Sequence, residues 1–141
     1  MDMIALKHAL AAMALFVAGA AAAETGRLTV ELNKVEEMDS GDCRAFFLFR
    51  NDTGMSFEGF EMSLAILDSN GVIDRLLSVD AAPLPVARTT LKLFEIPGMQ
   101  CSRISEILLH ELTSCKPQNA DEMDCFAILT LTSRASAQLV K

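Results

Sequence analysis

The chain contains no tryptophan and no tyrosine, so phenylalanine supplies all of its aromatic rings. Tryptophan and tyrosine combine a large apolar ring with a polar edge, which suits them to line a cleft for a sugar. The acidic segments 36–37 and 121–124 therefore lack the aromatic cleft in which a pair of glycosidase carboxylates would act. We interpret both segments as solvated loop charges.

Histidine is also scarce, because only His110 follows the first 23 residues. Nucleophilic catalysis needs a nucleophile, a base and a group that orients the base, and the chain has no G-x-S-x-G motif. One histidine and four cysteines without a C-x-x-C pair suit neither a zinc site nor a thioredoxin-like redox pair. The sequence thus predicts a protein that is not an enzyme and that uses no cofactor.

A metal-binding protein is the alternative that the composition leaves open. Thioethers suit Cu(I), and five methionines follow residue 23, although they are scattered singly: Met38, Met55, Met62, Met99 and Met123. Calcium prefers oxygen ligands, and a calcium site would need the acidic loops 36–42 and 119–124 to lie together. Copper and calcium are therefore the metals of this second hypothesis.

Clusters of lysine and arginine are absent, and 12 basic residues stand against 19 acidic ones, for a net charge of −7. An acidic chain without basic clusters is poorly suited to bind nucleic acid or an anionic membrane surface. We therefore expect a protein as the partner.

No apolar run after residue 23 reaches the roughly 20 residues that span a membrane. The first 23 residues have a short charged start, an apolar stretch and then small residues up to Ala23. This order is typical of a secretory signal peptide that is cleaved before Glu24. We predict a signal peptide over residues 1–23, one domain over residues 24–141, and a periplasmic or secreted protein whose partner is another envelope protein.

All four cysteines lie in the predicted mature domain: Cys43, Cys101, Cys115 and Cys125. An even number of cysteines in a small exported domain predicts disulfide bonds. Two bridges are therefore expected, and their pairing depends on where the strands place each cysteine.

Short apolar segments alternate with turn residues throughout residues 24–141, which is typical of an all-β domain. Seven segments read as strands: 27–35, 43–51, 59–68, 72–79, 88–96, 104–111 and 125–133. Asp68–Gly71 has the composition of a hairpin turn, and Pro83 and Pro85 mark a crossing loop. The count predicts a seven-stranded antiparallel sandwich of the immunoglobulin or fibronectin type. The tail, residues 134–141, either extends the last strand or lies free.

The segment between Cys101 and Cys115 admits two interpretations. Its apolar residues have the spacing of one helix face: Ile104, Ile107, Leu108 and Leu112. This spacing favours a helix over residues 102–114, whereas six neighbouring strands favour a seventh strand. We prefer the strand.

In either form, Cys101 and Cys115 lie too far apart to bond with each other. A strand of eight residues spans about 26 Å and a helix of 13 residues about 20 Å, whereas a disulfide needs Cα atoms within about 7 Å. Alternating strand directions bring Cys43 and Cys101 to one end of the sandwich, and Cys115 and Cys125 to the other. The predicted bridges therefore join Cys43 to Cys101 and Cys115 to Cys125.

The strand at 43–51 is apolar on both faces. One face carries Ala45, Phe47 and Phe49, and the other carries Arg44, Phe46, Leu48 and Arg50. An apolar pair framed by arginines has the composition of a small protein-binding patch. The alternative, which we favour, is that the segment 104–111 or the C-terminal tail covers this second face.

The chain from Leu28 to Leu109 resembles small exported immunoglobulin-like proteins of the FxLYD type. The shared pattern is a strand ending in Asn, an aliphatic-x-Asp-x-x-Gly hairpin, a proline-rich crossing and a threonine-bearing strand. The matching residues are Phe47, Phe49, Asn51, Leu64, Ile66, Leu67, Asp68, Gly71, Pro83, Pro85, Thr89 and Thr90. The resemblance implies a non-catalytic binding or accessory module and supplies no site residues. We therefore expect a non-enzymatic exported accessory or protein-interaction module.

Overall fold

The computed structural model describes residues 14–15 and 26–141. The predicted signal peptide, residues 1–23, lies outside the described residues except for Ala14 and Leu15. The strands are β1 (Leu28–Glu37), β2 (Cys43–Asn51), β3 (Phe57–Leu67), β4 (Ile73–Asp80), β5 (Thr89–Ile96), β6 (Glu106–Pro117), β7 (Leu129–Ser133) and β8 (Gln138–Val140). Two short 3-10 turns, Cys101–Arg103 and Phe126–Ile128, precede β6 and β7.

The strands form two four-stranded sheets. The first has the order β5-β2-β1-β7 and the second the order β4-β3-β6-β8. β7 runs parallel to β1 and β8 runs parallel to β6, whereas the remaining neighbours are antiparallel. The C-terminal part of the chain therefore contributes one edge strand to each sheet.

The all-β prediction with two sheets and two disulfides is confirmed, but the predicted strand number and the fully antiparallel pairing are wrong. The segment 125–133 begins as a 3-10 turn and becomes a strand only at Leu129. The tail neither extends that strand nor lies free, because Gln138–Val140 forms β8 in the other sheet. Residues 26–141 therefore contain eight strands where the sequence predicts seven.

The segment between Cys101 and Cys115 is largely the strand β6, so the strand interpretation is correct and the helical one is wrong. Leu109 pairs with Leu64 of β3 and Ile107 pairs with Ile66, and all of these side chains are buried. A long strand partner with matching inward residues outweighs the local helical spacing.

The core lies between the two sheets. Period-two alternation sends Phe47 and Phe49 of β2 inward, where the ring of Phe49 lies 6.0 Å from that of Phe60 on β3, edge to face. The turn Asp68–Gly71 closes the β3–β4 hairpin as predicted, because the Asp68 carboxylate accepts hydrogen bonds from the amides of Asn70 and Val72.

The two disulfides join Cys43 to Cys101 and Cys115 to Cys125. This is the pairing that the alternating strand directions predict. The Cys43–Cys101 bridge lies where β2 begins, and the Cys115–Cys125 bridge lies near the end of β6, so each end of the sandwich carries one bridge. All four cysteines are buried.

Candidate functional site

The outer face of the first sheet carries a continuous apolar patch. Phe46 of β2 pairs with Leu93 of β5, and Leu48 pairs with Leu91, so the four side chains lie side by side on the face opposite the core. Leu91 and Leu93 are 53% and 46% exposed, and Phe46 and Leu48 are half-buried. We call these four residues the apolar patch.

The predicted cover over this face is absent among residues 26–141. β6 and β8 both belong to the second sheet, so the favoured interpretation, in which segment 104–111 or the tail covers Phe46 and Leu48, is wrong. Arg134, at the start of the tail, does reach this face, but it bonds to Glu31. Phe46 is in contact with Lys34 of β1, and both Phe46 and Leu48 lie on β2 between β1 and β5.

Basic side chains border the patch, including both arginines that the sequence places beside it. Arg44 lies at one end, with its guanidinium 3.4 Å from the Glu95 carboxylate. Arg50 lies at the other end and bonds to Glu31. The Lys34 ammonium lies 4.4 Å from the centre of the Phe46 ring, a cation–π contact that places positive charge directly on the apolar surface.

Glu31 is a buried carboxylate beside the patch. Arg50 donates to its Oε2 at 2.8 Å, and Asn33 and Arg134 donate to its Oε1 at 2.8 and 3.1 Å. The Arg50 hydrogen bond, followed by that of Asn33, holds the pKa of Glu31 below its usual value, and these bonds outweigh the opposing effect of burial. Glu31 therefore stays ionised and fixes the arginines at this border.

Sequence reasoning missed Leu91, Leu93 and Lys34. The segment 88–96 alternates cleanly, but Leu91 and Leu93 alternate with Lys92 and Phe94, so the pattern does not say which set faces the core. The sequence signal for the inward set was Ile96, an apolar residue on the same face as Phe94. In the structure Ile96 is buried and Phe94 packs against the core. Lys34 joins the outer face only because a bulge between Leu32 and Lys34 shifts the register of β1.

The residues considered for metal binding are dispersed or already bonded. All four cysteines form disulfides, and within residues 26–141 no group of three or more His, Cys, Asp or Glu is arranged to hold a metal ion. The loop 36–42 leads into Cys43, whereas Glu122 bonds to the Cys115 amide, so the two acidic loops lie at opposite ends of the sandwich. Exposed His110 pairs with the Ser63 hydroxyl at 2.7 Å.

No helix in the described part of the chain is both long enough and apolar enough to cross a membrane.

Comparisons with known proteins bear on the fold alone. No family model and no curated protein matches the chain, so the FxLYD resemblance is not confirmed. The chain is similar to the solved structure of IrmA from Escherichia coli, with 11% sequence identity and a TM-score of 0.56. The similarity covers 74% of this chain and 90% of that one. At this identity it indicates a shared fold and nothing about activity.

Proposed function

We propose that this protein is a non-enzymatic, exported protein-interaction module with an immunoglobulin-like sandwich fold, and that the apolar patch is its binding surface. The observation that carries the proposal is that four neighbouring apolar side chains, with basic groups around them, lie on a sheet face that no other element within residues 26–141 covers. Apolar centres with arginine at the border are a recurrent composition of protein interfaces.

Export is supported by two buried disulfides, which form and persist in oxidising compartments. A periplasmic or secreted location also agrees with the signal-peptide pattern at residues 1–23. In that location, the partner of the module is another protein of the cell envelope.

The test compares tagged wild type with Leu93→Asp in the native envelope, using cross-linking followed by purification. Leu93 is half exposed, so the carboxylate can remain hydrated while it interrupts the patch. We expect the partner captured by wild type to fall at least about tenfold with Leu93→Asp, since hot-spot losses of about 2 kcal/mol or more are typical at an interface centre.

Val86→Asp is the matched control, because Val86 is an exposed apolar residue on the loop between β4 and β5 rather than in the patch. It should capture the partner like wild type. Equal capture by Leu93→Asp and wild type, with both variants folded, would show that the patch is not the binding surface. Failure of wild type to capture any protein would contradict the interaction role itself.

A further inference from the structure

The outer face of the second sheet carries its own apolar surface. One row of paired side chains crosses all four strands: Leu76, Ala65, Leu108 and Val140. The next row begins with Ile73 paired to Leu67. Leu76 is 61% exposed and Ile73 is 56% exposed, whereas Ala65, which pairs with Leu76, is buried. We call these six residues the apolar row.

The charges around the apolar row are acidic. In the described part of the chain, four carboxylates share its face: Glu61, Asp80, Glu106 and Glu111. Lys116 also points outward, but its partner Gly59 lies six positions along β3 from Ala65, about 20 Å away. Lys116 is moreover paired with Glu58. The second sheet therefore presents an apolar surface within a negative border.

The outer face of the first sheet has the opposite sign. Among residues 26–141, five cations lie on it, Arg27, Lys34, Arg44, Arg50 and Arg134, against three carboxylates, Glu31, Glu36 and Glu95. This excess of two positive charges stands out in a chain whose net charge is −7. The apolar patch thus lies on a basic face, and the apolar row lies on an acidic one.

We propose that the basic face of one molecule docks on the acidic face of a second copy of the same chain, with the apolar patch against the apolar row. The inference rests on the proposed function, since it assigns a partner to the same patch. Each face offers what the other requires, an apolar centre and a border of opposite charge. Pairing two basic faces or two acidic faces would instead bring like charges together.

Edge-to-edge strand pairing is the competing mode of self-association, and the two edge strands that carry the exposed leucines, β5 and β4, oppose it. β5 and β4 each form one edge of their sheet, and β7 and β8 form the other edges. β5 and β4 each carry a cation among their core-side positions: Lys92 pairs with Phe47, and Arg75 pairs with Ile66. Inward-pointing charges on an edge strand hinder the addition of a further strand. The exposed leucines of β4 and β5 therefore favour contact between sheet faces rather than strand pairing at these edges.

The proposed contact is heterologous, because two different surfaces meet. Each added copy leaves one basic and one acidic face free, so growth continues unless the geometry closes a ring. Sedimentation velocity on the full mature protein should therefore give a weight-average coefficient that rises with concentration without levelling at a dimer. Raising sodium chloride from about 0.05 to about 0.5 M shortens the Debye length from about 14 Å to about 4 Å and should weaken association several-fold.

Two variants provide the decisive experiment. Leu93→Asp places a negative charge on the basic face, and Leu76→Lys places a positive charge on the acidic face. Each variant alone should be monomeric, because each has lost one of the two complementary surfaces. An equimolar mixture should form dimers and nothing larger, because each variant still has the surface that the other needs.

Three results would overturn the proposal: a wild type that stays monomeric from micromolar to millimolar concentration, a dimer plateau at high concentration, or a mixture that remains monomeric. Leu91→Asp replaces Leu93→Asp, and Ile73→Lys replaces Leu76→Lys, if the first variant fails to fold, because these positions are similarly exposed. A monomeric wild type whose envelope partner is still lost with Leu93→Asp would refute self-docking and leave the proposed function standing. Capture that Leu93→Asp leaves unchanged would refute the assignment of the apolar patch as the binding surface in the proposed function.

Discussion

Glu31 is the residue in which burial and ionisation conflict most directly. It lies buried in the middle of β1 while three donors hold it as a carboxylate. Replacing it with glutamine keeps its shape but points an N–H group at one of the arginine or asparagine donors. Hydrogen bonds to charged groups contribute about 1.5–3 kcal/mol each, so we expect Glu31→Gln to lower the free energy of unfolding by about 2 kcal/mol.

The control is Glu36→Gln on the same strand, because the Glu36 carboxylate is exposed and lies 3.9 Å from the Lys34 ammonium. Exposed ion pairs contribute about 0–1 kcal/mol, so Glu36→Gln should stay within about 0.5 kcal/mol of wild type. Urea unfolding at neutral pH measures both variants. Equal losses for the two variants would mean that the arginine contacts of Glu31 contribute nothing specific.

The pH dependence of Glu31→Gln follows from the lowered pKa of Glu31. A carboxylate whose pKa is lower in the folded than in the unfolded state stabilises the protein above the unfolded pKa, near 4.5. That stabilisation disappears as the pH falls through the folded pKa. The difference between wild type and Glu31→Gln should therefore be constant near neutrality and shrink below pH 4.5, as urea titrations at a series of pH values would show. A difference that persists unchanged to low pH would contradict this account.

At the scale of the elements, Asn51 ties the turn after β2 to the loop between β4 and β5. Its buried amide donates to the carbonyls of Met55 and Leu84, at 2.8 and 3.1 Å, and its Oδ1 accepts from the Thr53 hydroxyl at 2.7 Å. Asn51→Ala would remove both of these carbonyl contacts and the acceptor of the Thr53 hydroxyl, and each such hydrogen bond contributes about 0.5–1.5 kcal/mol. We expect a correspondingly lower midpoint in urea, whereas exposed Asn70→Ala should change it little. Comparable midpoints for the two variants would contradict this role.

Elements with strong alternation and a clear partner are the ones that the sequence predicts well. β2 occupies residues 43–51 as predicted, because Ala45, Phe47 and Phe49 alternate with Arg44 and Arg50. β6 was ambiguous, since its helical spacing is local whereas its strand state depends on pairing with β3. β8 could not be predicted, because three residues form no periodic pattern and its partner β6 lies some thirty residues earlier.

Two of the four residues of the apolar patch, Phe46 and Leu48, could be predicted from the alternation of β2. Phe46 and Leu48 lie on a strand whose other face holds two phenylalanines, so their outward direction follows from alternation. Leu91 and Leu93 complete the patch only through the register of β5 against β2. Register is a long-range property that spacing within one segment does not encode.

At the scale of the whole molecule, charge is distributed unevenly between the two sheets. The net charge of −7 suggests a uniformly acidic surface, yet the outer face of the first sheet carries more cations than carboxylates. Alternation separates the two signs, because Arg44 and Arg50 share the outer side of β2 while Glu106 points outward from β6. Net charge alone therefore does not describe the surface that a partner would meet.

The two disulfides constrain the whole chain unequally. Cys43 and Cys101 are 58 residues apart, whereas Cys115 and Cys125 are 10 apart. On the chain-entropy account, closing these loops restricts the unfolded chain by about 4 and about 3 kcal/mol respectively. Replacing Cys43 and Cys101 together with alanine should therefore lower the free energy of unfolding by about 1 kcal/mol more than replacing Cys115 and Cys125.

Guanidinium unfolding of the two double variants measures this difference. Each variant is the control for the other, because both remove two buried sulfurs and so leave similar cavities. Removing the Cys43–Cys101 bridge should also raise the m-value more than removing the Cys115–Cys125 bridge, because a longer stretch of unfolded chain is released from its constraint. If removal of the Cys115–Cys125 bridge were the more damaging change, the native packing of the turn at Phe126–Ile128 would outweigh loop entropy. The C-terminal strands β7 and β8 would then depend on that bridge for their placement in separate sheets.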